Sequence, residues 1–319
     1  AQDSTDPMGI LPPLPSGQVG EQGPPPNAVG GFTIEVPAET LAAGKETEPC
    51  YIFPLQVDGP SRLVAAGMVE VGFGLHHGNI TTRPKTGEGV RPCPTVDHVA
   101  FDILEGGAVL FGSSTQVSGS EWQRFPPGMA FRVKDGFEIV ARMHYLNAST
   151  SPLTIAPKYR WYTVAEDTVT QELTPFAWTY DKFTIPALSD RTVTADCPLD
   201  RPLQIVSMLP HMHKRGQRIT AGFLGGPRDG QLFFDQSGYG ARGETDIRLY
   251  SPSIDLYQNE QGTGFRFSCT WHNELTKPLK YGIGENEMCV FFGYGYPRSA
   301  TYSAMAGDTY ACAPVLPPP

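Results

Sequence analysis

The chain has 319 residues, enough for about two domains, and sets 33 carboxylates against 24 lysines and arginines for a formal charge of -9. That acidic balance and the lack of any basic run argue against nucleic acid as a partner, and no apolar stretch reaches the roughly 18–20 residues of a membrane span. Glycine (35) and proline (31) together make up about a fifth of the chain, which disfavours long helices and favours short strands joined by turns.

In chain order, residues 1–30 are rich in Pro, Gly and Gln without periodicity, and read as a flexible tether to a surface. Residue 1 is Ala, so the expectation is a processed chain whose signal segment has been removed. Strand-like runs follow: FTIEV, LVAAGMVEVGFGLHH, HVAFDIL, AVLFGSS, MAFRV, FEIVARMHYL, YRWYTV and FAWTYDKFTI. RTVTADC, LQIVSML, RITAGFL, QLFFD, GFRFSCTW and MCVFFGYGY continue the series, nearly all punctuated by Gly, Pro, Asn or Asp. The polar segment 164–176 is the expected crossing between two β-sandwich domains, residues 31–170 and 171–319. The tail APVLPPP reads as unstructured. Six cysteines, at 50, 93, 197, 269, 289 and 312, are even in number and form no CxxC pair. Three disulfides in an oxidising compartment fit that pattern, so a secreted, periplasmic or cell-surface protein is expected.

Seven histidines are present. In SMLPHMHKRG, His211 and His213 stand two apart and share one face of an extended strand, as a pair of metal ligands must. In VEVGFGLHHGNI, His76 and His77 are adjacent and an ideal strand sends them to opposite faces. Both reach one ion only if the strand bulges, for which Gly78 is placed. His144 shares parity with Glu138, Val140 and Arg142, the more polar side of its strand, and so points away from the core. In GIGENEMCVFFGYGYP, Met288 shares parity with Val290 and Phe292 while Cys289 faces the other way. A thioether beside imidazoles favours copper, although a Met in an aromatic strand is ordinarily a core filler. His98 and His272 read as ordinary histidines. The sequons at Asn79 and Asn147 read as coincidental, because a glycan beside His77 or His144 would crowd a metal.

With LHHGN, MHYLN, PHMHKRGQRI and ENEMC in this order, most of residues 31–319 resemble the copper type II, ascorbate-dependent monooxygenases, the family of peptidylglycine α-hydroxylating monooxygenase and dopamine β-monooxygenase. The resemblance implies two tandem jelly-roll-type β-sandwiches in an all-β chain. It implies two coppers: one on His76, His77 and His144 for electron transfer, and one on His211, His213 and Met288 where O2 and substrate react. It further implies ascorbate as reductant, and disulfides Cys50–Cys93, Cys197–Cys312 and Cys269–Cys289. The partners expected are a small-molecule substrate, O2 and an electron donor, with the chain a monomer.

The chain departs from the peptide-amidating members. Where they carry an Arg before the histidine pair, and an Asn and a Tyr after the Met, this sequence has Leu209, Val290 and Phe292. These would form an apolar wall beside the second copper. Burying a carboxylate there costs several kcal/mol, so a largely apolar or aromatic substrate is expected. The alternative is a secreted copper-binding or electron-transfer protein without hydroxylase turnover. A zinc hydrolase would need a carboxylate near three histidines, and none is expected beside these motifs. A retired enzyme kept as a binding module would usually have lost ligands.

Overall fold

The computed structural model describes residues 21–94, 107–113, 117–199, 201–238, 247–258, 263–282, 285–297, 302–305 and 313–314. The expected run HVAFDIL lies outside them. The described chain is all-β: its only helical elements are two short 3-10 turns, Glu166–Thr168 and Gly226–Arg228. Alternation explains the strands. Across Gly264–Asn273, Phe265, Phe267, Cys269 and Trp271 are buried, while Arg266, Ser268, Thr270 and His272 are more exposed, the signature of a sheet with one face on a core.

The first half is organised by one strand, Leu63–Pro84. Its beginning pairs with Lys158–Val164 and Val117–Arg124. Its end pairs with Phe137–Leu146 and Val109–Gly112. It thereby passes from one layer of a sandwich to the other around a core that includes Phe32, Ile80, Phe111, Tyr159 and Trp161. In the second half a five-stranded sheet, centred on Gly216–Leu224, Gly264–Asn273 and Ser189–Pro198, faces a layer of Gln171–Thr179, Gln204–His211, Arg248–Asp255 and Val290–Tyr296. Trp178, Phe265, Trp271 and Phe291 fill the space between.

The two halves are joined by hydrogen bonds and not by a linker. After the Glu166–Thr168 turn, Gln171–Leu173 pairs in parallel with Met129–Phe131 of the first half. The same strand then pairs antiparallel with Val290–Gly295 of the second. Tyr294 carries the junction inward, stacking on Phe131 at 4.6 Å between centroids and donating its hydroxyl to the Val109 carbonyl. The latter part of the segment 164–176 is therefore a strand common to both halves.

Two expected ends are ordered where the sequence read them as loose. Ala28–Gly30, inside the expected tether, already pairs with Thr163 and Val164. Ala313–Pro314 of the tail forms an edge against Ala195 and Asp196. In both cases a neighbouring strand supplies the hydrogen bonds that satisfy a segment with little hydrophobic pattern of its own. Cys50–Cys93 and Cys269–Cys289 are disulfides. Cys197 is also disulfide-bonded, and Cys312 lies outside the described residues. Disulfides of this kind fit an oxidising compartment. Among the described residues no helix is long and apolar enough to cross a membrane.

Candidate metal centre

His76 and His77 reach one side because the strand bulges. In the ladder with Phe137–Leu146, His77 opposes His144 and Leu75 opposes Tyr145, leaving His76 as the extra residue. Upstream, Gly74 has a positive φ of 99° where the pairing with Val117–Arg124 is interrupted. Gly78 is not the hinge that the sequence suggested. It pairs regularly with Met143 and lacks a positive φ. It is glycine because a Cβ there would overlap the Tyr159 hydroxyl and lie 2.7 Å from Met143 Cε. The bulge brings His76 Nδ1 and His77 Nδ1 to 3.1 Å. The His144 ring lies 4.7 Å from that of His76 and 5.0 Å from that of His77. His144 is on the face opposite Met143 and Tyr145, which belong to the core, as its parity implied.

His211 closes its strand opposite Val290, and His213 follows in the turn, with the two rings 5.2 Å apart. Met212 between them is buried in the second core, so the i, i+2 pair does share the other face. His213 is fixed from the Met288 segment: its Nδ1 lies 2.8 Å from the Asn286 carbonyl. That contact requires the proton on Nδ1 and leaves Nε2 as the nitrogen with the free lone pair. Glu287 clamps the turn, accepting hydrogen bonds from the His213 and Arg215 backbone N–H groups at 3.0 Å each. Met288 is half-buried and packs against the first core, whereas Cys289 is buried in the second. The opposite orientation of these neighbours is as their parity required.

The two histidine groups are contiguous. The His77 ring is 4.9 Å from His211 and 6.0 Å from His213. Within His76–His77–His144, and again within His77–His211–His213, one ring nitrogen from each residue lies within 4.8 Å of the others. Burial is the main force on their protonation. It lowers His76 to about 3 and His213 to about 4, and holds His77 and His211 well below the usual imidazole range, with repulsion among the rings adding to the effect. These imidazoles are therefore neutral near pH 7, the form that binds metal.

The residues fit a metal. His211 Nε2 is buried with no hydrogen-bond partner, an arrangement that costs free energy unless something occupies its lone pair. A donor set of neutral imidazoles suits zinc, copper, nickel or iron, and not magnesium or calcium.

A carboxylate does stand beside the cluster, contrary to the sequence expectation. Glu46 Oε2 lies 3.3 Å from His144 Nε2, brought there by the pairing of Glu46–Thr47 with Tyr145 and Leu146. Sequence offered no signal for it, because a two-residue edge strand has no periodicity to read. Glu287 has the parity opposite to Met288 and is buried, a direction that lets it hold the His213 backbone. Burial pushes its carboxyl up to about 7 despite the two backbone donors.

Leu209 and Phe292 oppose each other across the ladder. With Val290 they are buried in the first core, and Leu209 packs directly on Gly112 of the first half. These three residues are part of a packed apolar seam between the halves. His272 makes a surface pair with Asp190 at 2.7 Å, and His98 lies outside the described residues. Asn147 is fully buried and donates its amide to the Leu41 and Ser151 carbonyls, which leaves no exposed nitrogen for a glycan.

No protein-family model matches the chain, and no curated protein matches it. Among solved structures it is similar to N-glycanase F (PNGase F), at 10% identity and a TM-score of 0.32 over 88% of this chain and 98% of that one. It is also similar to a structure of infectious bursal disease virus Gx strain, at 11% identity and a TM-score of 0.19 over 88% of this chain and 77% of that one.

Proposed function

We propose that the protein is a copper-dependent monooxygenase that hydroxylates a C–H bond of a largely apolar or aromatic small substrate, with ascorbate or a similar one-electron donor. The observation that carries this reading is the convergence of five imidazoles from both halves, with Met288 on the segment that fixes His213. In this reading His76, His77 and His144 hold one copper, and His211, His213 and Met288 hold the other. When bound, copper would supply one-electron transfer and the reaction with O2. The chain's own part is to keep His76, His77, His211 and His213 unprotonated by burial, to orient His144 through Glu46 and His213 through Asn286 and Glu287, and to exclude water with Leu209, Val290 and Phe292. Secretion, or display at a cell surface, accords with the disulfides and with the Pro-rich N-terminal segment.

A copper-binding or electron-transfer protein without turnover is the second reading. It is favoured by the burial of Leu209, Val290 and Phe292 in the seam, which leaves substrate no entry there unless the halves part. The deciding experiment is oxygen uptake by the copper-loaded protein with ascorbate, screened over apolar C–H compounds with mass detection of an added oxygen. Substrate-stimulated uptake matched by hydroxylated product supports the enzyme. Two coppers that cycle with ascorbate and never yield product would leave the second reading standing.

A further inference from the structure

His77 belongs to both three-histidine groups, and this has a consequence beyond a pair of independent coppers. We propose that His77, His211 and His213 form a metal site in their own right, spanning the two halves, so that one first-row ion held there ties the first sandwich to the second. The proposal stands whether or not the protein hydroxylates anything.

Three observations carry it. The first is distance: one nitrogen from each of the three rings lies within 4.8 Å of the others. Metal–nitrogen bonds of about 2.0–2.1 Å set three nitrogens around one ion about 3.3–3.6 Å apart, so the three rings need close by at most about 1.5 Å. The second is the state of the donors. His211 Nε2 is buried with no partner, and its residue is only 7% exposed. His213 has Nδ1 committed to the Asn286 carbonyl, so Nε2 is the nitrogen it has to offer.

The third observation is that contacts independent of the histidines already hold the halves together. The Gln171–Leu173 ladder, the Tyr294 hydroxyl on the Val109 carbonyl and Leu209 on Gly112 all bridge them. An ion at this site closes no gap; it completes an interface whose backbone is in place. An ion taking a given His77 nitrogen here withdraws that nitrogen from His76 and His144, so occupancy of the two groups is coupled. Neutral nitrogen donors select borderline ions such as cobalt(II), zinc or copper(II).

The test uses cobalt(II) as the sole metal, because its visible absorption reports a nitrogen-rich, low-coordinate site and its preference for a thioether is weak. The full-length protein, stripped of metal, is titrated with cobalt, and the melting temperature of each metal-free variant is measured alongside. The first equivalent should bind with the same spectrum, and within about threefold in affinity, in the wild type, His76→Ala, His144→Ala and Met288→Leu, since each leaves the three ligands intact. His77→Ala and His213→Ala should each weaken it by about 100-fold, the upper range for losing even an outer partner of a ligand. Should His77→Ala fail to fold, His77→Gln serves in its place. Cobalt binding that His77→Ala leaves unchanged while His213→Ala abolishes it would overturn the proposal, as would His76→Ala costing as much as His77→Ala. Failure of the wild type to bind cobalt would overturn it too. None of these readings uses turnover, so the hydroxylase proposal can fail separately.

Discussion

Gly78 follows His77 directly, and its replacement by Ala tests whether this position is glycine for packing or for backbone freedom. A Cβ at residue 78 would overlap the Tyr159 hydroxyl, lie 2.7 Å from Met143 Cε and lie 3.3 Å from its sulfur. Tyr159 is fully buried and Met143 nearly so, so neither can withdraw into solvent. Overpacking of this kind costs about 1–3 kcal/mol, which for a chain of this size lowers the melting temperature by several degrees, at about 2–4 °C per kcal/mol. Because Ser113 bonds both the N–H and the carbonyl of Gly78, the strain should pass to His77 and not dissipate along the strand. Metal affinity should therefore fall with stability. The nearest obstacle is the tyrosine oxygen, so Tyr159→Phe should relieve much of the cost. Thermal melts of both single variants and the double give a coupling energy, expected at about 1 kcal/mol in the rescuing direction. Strict additivity, or a neutral Gly78→Ala, would refute the packing argument. So would Gly78→Asn proving milder than Gly78→Ala, since Asn tolerates a left-handed backbone and fits the gap less well.

Acid should destabilise the metal-free protein well above the carboxylate range. His76, His77, His211 and His213 have folded-state values below their unfolded one. Their contribution is thus present above about pH 6.5 and lost as pH falls toward the folded values. Glu287, raised to about 7, acts in the opposite sense and offsets about one of the four. The net of about three protons gives a slope of at most about 4 kcal/mol per pH unit. Melting temperatures that stay flat between pH 6.5 and 5 would count against burial of these rings. Glu287→Gln should cost about 1–3 kcal/mol, because its amide nitrogen must face one of two buried backbone donors; a thermal melt at pH 8 checks it, and no loss would mean that the clamp is not formed. Glu46→Ala should weaken metal bound with His144 by about tenfold, as loss of an orienting partner does, while leaving the His211–His213 ions within error. A titration in which both groups weaken equally would rule that out.

The sequence alone determined whatever depends on strand parity. The run GFRFSCTW read as a strand, the i, i+2 spacing put His211 and His213 on one face, and Met288 and Cys289 had to point to opposite faces. These follow from the backbone's two-residue period, which needs no knowledge of distant partners. What lay across the sheet was decided only by the tertiary structure. The register opposite His144 made His76 the bulged residue and turned Gly78 into a packing position. A two-residue edge pairing carried Glu46 to His144. The strand shared by both halves, with Tyr294 and Leu209 locked across the seam, set His77 against His211 and His213. Such juxtapositions arise because hydrogen bonding between strands must be satisfied somewhere along the whole chain. The partner that satisfies it is chosen by the global fit of two cores, and no local stretch of residues encodes that choice.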